Sequence, residues 1–415
     1  DTAVYFDVRA NYNIRTNADG SVTVDHIAPP VEGAFIDPIN GDPNVAGGDG
    51  TDRLTNVEIL RFADMEIDLR TDPASNGLIQ GTDGNDVLDA SNGPDAIFAG
   101  AGDDVINGLA GNDVIFAEGG SDTITWNAPN GGYDVVVGHG IVDDGGTDML
   151  VINGDGTEDA FTMYTVAAWT DQGGDAPVDP LSEIVITRTV AGLETAIMEV
   201  RGIEEVTLNG VQGVETITAV GDFAGTSLAP NTIYVNGTAG NEVIDFSGFT
   251  STQRLVVDAG DGRDNITGGA GNDMLNAGAD RDEISWNVGG GSDVVDGGAG
   301  EDTYTINGDA SDETFRVYAA DSWAGAPLAT DTDIVITRDG GTGEQVIGQL
   351  QNIEEIQINT AGGTNDVQVI GDFNPTALNF NTISVTGEVA NVDVTGRLST
   401  HRVFVETESR ATTVT

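Results

Sequence analysis

Two stretches of this chain carry an aspartate at every ninth residue, always in the same local setting. From residue 81 the sequence reads GTDGNDVLD, ASNGPDAIF, AGAGDDVIN, GLAGNDVIF and AEGGSDTIT, with Gly at position four, Asp86, Asp95, Asp104, Asp113 and Asp122 at position six, and Leu or Ile at position eight. The frame returns at 259 as AGDGRDNIT, GGAGNDMLN and AGADRDEIS, then, after Trp286-Asn287, as VGGGSDVVD and GGAGEDTYT. Its sixth-position acids are Asp264, Asp273, Asp282, Asp293 and Asp302, and Asp280 replaces one fourth-position glycine. An isolated block, GTAGNEVID (237–245), offers Glu242, and the looser matches GGYDVVV (131–137) and GGTDMLV (145–151) offer Asp134 and Asp148. Carboxylates beside glycine-rich turns, which expose backbone carbonyls, form an all-oxygen donor set. Ca²⁺ takes six to eight such oxygens, whereas Mg²⁺ demands tighter octahedral geometry and keeps its water. Zinc would want His or Cys, and the chain has no Cys and only three His.

The spacing also says what must position these acids. Positions one to six suit a tight turn and seven to nine a short strand whose middle side chain points inward. Such a unit buries nothing alone, but stacked coils bury a continuous apolar line. Two blocks make one 18-residue coil with a turn on each edge, so blocks i and i+2 stack at about 4.7–4.9 Å, the strand spacing. The expected neighbours are Asp86 with Asp104, Asp104 with Asp122, and Asp95 with Asp113. In the second array they are Asp264 with Asp282, Asp282 with Asp302, and Asp273 with Asp293. Rows of bare carboxylates at that pitch repel strongly; a divalent ion between turns removes the conflict.

The pattern G-G-x-G-x-D-x-U-x, with U an apolar residue, resembles the RTX, or haemolysin-type, calcium-binding repeat, over 81–125 and 259–305. The resemblance implies a parallel β-roll with Ca²⁺ held between turns, and export through a type I secretion apparatus as an unfolded chain that folds where calcium is plentiful. The segment 400–415 is the candidate for that family's C-terminal secretion signal. The stretch DGTDRLTNVEILRFADMEIDL (49–69) looks like the segment that precedes such repeats in large secreted proteins, haem-peroxidase-like ones among them.

A larger duplication encloses the arrays. ITWN (124–127) matches ISWN (284–287), INGD (152–155) matches INGD (306–309), and IVITR (184–188) recurs at 334–338. IEEV (203–206) recurs as IEEI (353–356), and NTIYVNG (231–237) as NTISVTG (381–387). The fold class expected is all-β: parallel β-roll or β-solenoid arrays alternating with strand-rich β modules, in a duplicated unit. The divisions are an N-terminal β module or linker (1–80, with strands near 4–9, 21–26 and 57–69), a first array (81–151) and a first strand-rich module (152–236). A second array (237–305), a second strand-rich module (306–387) and a degenerate C-terminal segment (388–415) follow. Ala167-Ala168-Trp169 and Ala319-Ala320-Asp321 suit short helical turns, and Trp126 and Trp286 are expected to cap the arrays.

Composition narrows the function. Acidic residues number 69 against 15 basic ones, all Arg, for a net charge of −54. That field repels nucleic acid and anionic membrane surfaces and opposes compaction unless counter-ions bind; a solubilising acidic surface is the alternative reading and is compatible with it. No apolar stretch is long enough to span a bilayer. The histidines His26, His139 and His401 lie far apart without an H-E-x-x-H pattern, no G-x-S-x-G elbow occurs, and no lysine follows the glycine-rich turns. No catalytic residue is assigned. Glu204-Glu205 and Glu354-Glu355, in duplicated context, read as structural, one of each pair outward and one near a turn or ion. The function expected is a calcium-binding, secreted or cell-surface scaffold that folds on Ca²⁺ and self-assembles into oligomers, sheets or filaments. The alternatives are the secretion and folding tail of a larger secreted enzyme, and an adhesin for glycans or a partner surface.

Overall fold

The computed structural model describes residues 77–139, 145–157, 160–210, 215–229, 233–380 and 382–394, together with the strands Thr2–Val4, Tyr12–Thr16, Val22–His26, Thr51–Leu54, Ile59–Arg61, Glu66–Asp68, Arg402–Thr407 and Thr413–Val414. The chain divides into two compact units. One comprises Asp1–Val151, Trp169–Ile186 and Ala196–Glu204; the other comprises Ile152–Ala168, Thr187–Thr195 and Glu205–Thr415. Among the described residues no helix is long and apolar enough to cross a membrane.

In the first unit the blocks form two parallel ladders. Val87–Asp89, Val105–Asn107 and Thr123–Asn127 pair in register, with Leu88, Ile106 and Ile124 in line. Gly77–Gln80, Asp95–Ala101, Val114–Gly119 and Asp134–His139 form the second ladder, which aligns Ile79, Ile97, Ile115 and Val136. These are the eighth-position residues and their equivalents, and Ile97, Ile106, Ile115, Ile124 and Val136 are buried. The second ladder is buried on both faces. Its outward residues Phe98 and Phe116 stack with ring centroids 5.1 Å apart, and Val24 of the N-terminal region packs on them with Ala96, Val135 and Val137. Of the strands expected in 1–80, that near 21–26 is present as Val22–His26 and that near 57–69 as two strands, Ile59–Arg61 and Glu66–Asp68; that near 4–9 lies outside the described residues beyond Thr2–Val4, and Tyr12–Thr16 and Thr51–Leu54 were not foreseen. The Pro/Gly-rich stretch 28–50 lies outside the described residues.

In the second unit one ladder aligns Ile217, Ile244, Ile266, Ile284, Tyr304 and Ile356, and the other aligns Leu208, Val235, Val257, Leu275, Val295 and Leu350. The second strand-rich stretch is therefore more of the same parallel stack. It carries an inserted antiparallel meander of Thr314–Ala319, Ile334–Asp339 and Gln345–Gln351. Thr382–Val394 adds the next coil in parallel, and Arg402–Thr407 pairs parallel to it. The short helical turns expected occur as Val166–Asp171 and Ala320–Ser322.

One expectation fails. Trp126 and Trp286 do not cap the arrays, because coils continue beyond both: Asp134–His139 follows the first, and Trp286 itself pairs with Ile306 of the next coil. Each indole is buried and donates to the carbonyl of the following turn, Gly132 or Gly291. The two residues widen a coil rather than end it.

Candidate metal centre

Glycine is required where one turn lies on another. Gly120 has φ 128°, and a Cβ there would stand 2.1 Å from the Gly102 carbonyl oxygen one coil earlier. Such contacts leave the turns of each edge stacked carbonyl against glycine. Asp280, in place of a glycine, still adopts φ 81°, a conformation aspartate tolerates better than most residues.

The sixth-position acids form columns along both edges. In the first unit the N–H of each donates to Oδ1 of the acid one coil later: Asp86 to Asp104 at 2.7 Å, Asp104 to Asp122 at 2.8 Å, and Asp122 to Asp148 at 2.9 Å. The other edge runs Asp95 to Asp113 at 2.8 Å and Asp113 to Asp134 at 2.9 Å. In the second unit Glu242 donates to Asp264, Asp264 to Asp282 and Asp282 to Asp302, each at 2.8 Å. On the opposite edge Asp273 donates to Asp293 at 3.0 Å. Every sixth-position pairing expected from the spacing occurs, including those that cross the Trp286-Asn287 insertion, and Asp134, Asp148 and Glu242 join the columns.

Two further sets of participants join, and the first fits the expectation that one acid of each Glu-Glu pair lies near a turn or an ion. The N–H of Asp148 donates to Glu204 Oε2 at 2.7 Å, and that of Asp302 to Glu354 Oε2 at 2.8 Å, so the first acid of each duplicated Glu-Glu pair closes a column. His139 Nε2 stands 3.3 Å from Glu204 Oε1. The second set is at position five, where the side chain stitches in the opposite sense. Asn85 Oδ1 accepts from the Asp103 N–H, Asn112 Oδ1 from Tyr133, Asn241 Oδ1 from Arg263, and Asn272 Oδ1 from Ser292, at 2.8–3.0 Å. The signal was the run of short polar residues before the sixth-position acid.

The columns are electrostatically incomplete. Most of these acids have one oxygen engaged by a neighbouring turn, yet Oδ2 of Asp104, Asp113, Asp122, Asp264, Asp282 and Asp302 is buried without any hydrogen-bond donor, as is Oδ1 of Asp95, whose Oδ2 accepts from the Ser91 N–H. Asp86, on the outermost coil, is half-exposed and satisfies Oδ2 with the Thr82 N–H; Asp273 does so with that of Gly269. Burial, and then the neighbouring acid, push the carboxyl of Asp113 up to about 7 and that of Asp134 to about 8. The same causes raise Asp302 to about 7 and Asp282 to about 6. A buried charge demands a partner. Among the described residues no three His, Cys, Asp or Glu side chains converge as metal ligands. An ion seated here would therefore take a carboxylate oxygen from successive turns and complete its shell with backbone carbonyls, which suits calcium and not zinc.

One turn solves the problem without an ion. Glu313 is buried and lies one step beyond the second array, with its N–H donating to Asn365 Oδ1 at 3.0 Å. Arg338 reaches it from the meander, with Nε 2.5 Å from Glu313 Oε1 and an Nη 3.1 Å from Asp309. Arg188, 150 residues earlier in the duplication, makes the matching contact with Asp155 at 3.0 Å.

A family model described as the RTX calcium-binding nonapeptide repeat matches the chain in four copies, at residues 75–105, 89–124, 256–284 and 287–304. The search of curated proteins gives no match.

Proposed function

From the premise that both arrays are RTX calcium-binding nonapeptide repeats, we propose that the chain is a calcium-dependent scaffold that folds on Ca²⁺ outside the cell and carries no catalytic site. The ligands proposed are Asp86, Asp95, Asp104, Asp113, Asp122, Asp134, Asp148, Glu242, Asp264, Asp273, Asp282, Asp293 and Asp302. The observation that carries the reading is the file of buried carboxylate oxygens, from Asp104 to Asp302, that no protein donor reaches. Bound calcium supplies the positive charge those oxygens lack. Binding free energy then becomes folding free energy, and a net charge of −54 keeps the ion-free chain expanded. Export through a type I apparatus and assembly into sheets or filaments belong to the same proposal, supported by the repeat type and by the regular stack of coils. A calcium titration followed by circular dichroism tests the core of it. Chelation with EGTA is expected to abolish most of the β signal and calcium to restore it; an unchanged spectrum in chelator sinks the proposal.

A further inference from the structure

The two arrays differ in the sign of one edge. From residue 71 to 187 the chain holds no arginine or lysine, so the first array is purely acidic apart from His139. Along its Asp86–Asp104–Asp122 edge the turns present Asp83 and Asp103, both exposed, with Val87 and Val105 beside them at 75% and 47% exposure. Asp103 gives Oδ1 to the Ser121 N–H at 3.0 Å and keeps Oδ2 for solvent, and Asp83 makes no hydrogen bond among the described residues. The corresponding edge of the second array, Glu242–Asp264–Asp282, carries Arg263 and Arg281 at position five of successive turns, both exposed. Their neighbours Asp264 and Asp282 are joined coil to coil, so the two arginine-bearing turns lie about 4.8 Å apart along the stack. Both arginines line a cleft of about 460 Å³ with Asn241, Asn265, Glu283 and Gln357. Among the described residues Arg263 has no ion pair, and Arg281, 54% exposed, has one, to Glu355 at 4.0 Å. Like charges at that pitch repel, yet a chain with 69 acids brings no carboxylate within hydrogen-bond distance of either guanidinium among the described residues.

We infer that the Arg263–Arg281 cleft is an association surface whose occupant is a second copy of this chain, docked through its Asp83–Asp103 edge. Two carboxylates on adjacent turns meet two guanidiniums on adjacent turns, and arginine takes a carboxylate through two parallel N–H bonds. Val87 and Val105 leave water in the same contact, against Val243, which is 38% exposed on the receiving edge. The contact joins unlike surfaces, so each copy keeps one free edge of either kind and association continues into rings or filaments. The inference gives the proposed self-assembly its surfaces, and it rests on the calcium reading: Asp264 and Asp282 line the same cleft, and with calcium on them the arginines set its sign.

Sedimentation velocity of the calcium-loaded full chain tests this. The parent is expected to associate at low ionic strength and to come apart in about 0.5 M salt, which screens exposed charges. Arg263→Glu with Arg281→Glu, and separately Asp83→Arg with Asp103→Arg, are each expected to weaken association about tenfold or more with an unchanged circular dichroism spectrum. An equimolar mixture of the two double variants is expected to restore it, because each then offers the charge the other lacks. A parent that folds with calcium yet stays monomeric overturns this inference alone; a parent that calcium does not fold overturns both readings. Association that survives either reversal, or that the mixture fails to restore, overturns the contact. So does a monomeric parent that is retained on an immobilised polyuronate and released by Arg281→Glu, which assigns the cleft to an acidic glycan. Should a reversal fail to fold, Arg263→Gln with Arg281→Gln replaces it, and undiminished association then refutes the contact.

Discussion

The turns of Asp264 and Asp282 and the turn of Glu313 are stitched alike, backbone N–H to the side chain one coil later, but they neutralise their charge by opposite means. Glu313 receives the Arg338 guanidinium from its own chain, so that turn carries its cation covalently. Asp264 and Asp282 keep a buried oxygen with no donor and must import theirs. The difference teaches where an imported cation is called for: on the proposed reading, in the arrays, and not at the turn that Arg338 reaches. The Arg188 contact with Asp155 repeats the device.

The largest effect is expected from breaking the built-in cation. Arg338→Gln leaves Glu313 buried beside Asp309 with no compensating charge, which costs about 3–5 kcal/mol. Urea unfolding in saturating calcium measures it, and a loss below about 1 kcal/mol would erase the distinction between the two kinds of turn. Next is Asp282→Asn, which keeps an Oδ1 acceptor for the Asp264 N–H but removes the charge. Calcium affinity is expected to fall about tenfold or more, while Asp258→Asn, on the outward ninth position, leaves it unchanged; equal losses would refute the column.

The third effect is one of pH. In chelator, the acids raised to about 6–8, Asp282, Asp302, Asp113 and Asp134, hold their protons more tightly folded than unfolded, where a carboxyl sits near about 3.9. Their contribution is fully present below about pH 4 and is lost as the pH climbs through 6–8. In chelator the protein should thus keep more of its β signal at pH 5 than at pH 8. With calcium the order reverses, because the ion needs the carboxylates ionised. Asp309 behaves differently: the Ser311 hydroxyl first, then Arg338, hold its carboxyl below the usual range, so acid weakens that turn. The smallest effect belongs to the fifth position. Asn272→Ala removes the acceptor for the Ser292 N–H and should cost about 1 kcal/mol in thermal unfolding with calcium.

Much of this was legible in the sequence because a nine-residue period fixes both the strand and the acid. Ile106 under Ile124 and Asp104 beside Asp122 follow from counting. The Trp286-Asn287 insertion was harmless because it only lengthens the strand Glu283–Asn287. What escaped was non-local. Arg338 finds Glu313 across 25 residues through a meander, and no periodicity marks that approach. The tryptophans were misplaced because the frame breaks after them, although the stack does not. The N-terminal docking left a trace only in hindsight, in Phe98 and Phe116. They occupy the outward ninth position where the second array carries Asp258, Asn276 and Asp296.

Each acid caps the N–H of the one before it, so a column has a direction and always one open end. Glu204 and Glu354 shut those ends from 56 and 52 residues downstream, after the chain has made its detour and come back. The arrays therefore cannot be trimmed or extended like beads on a string. Their length is counted by a returning residue, and a chain severed within the detour would leave its final aspartate's amide buried and unanswered.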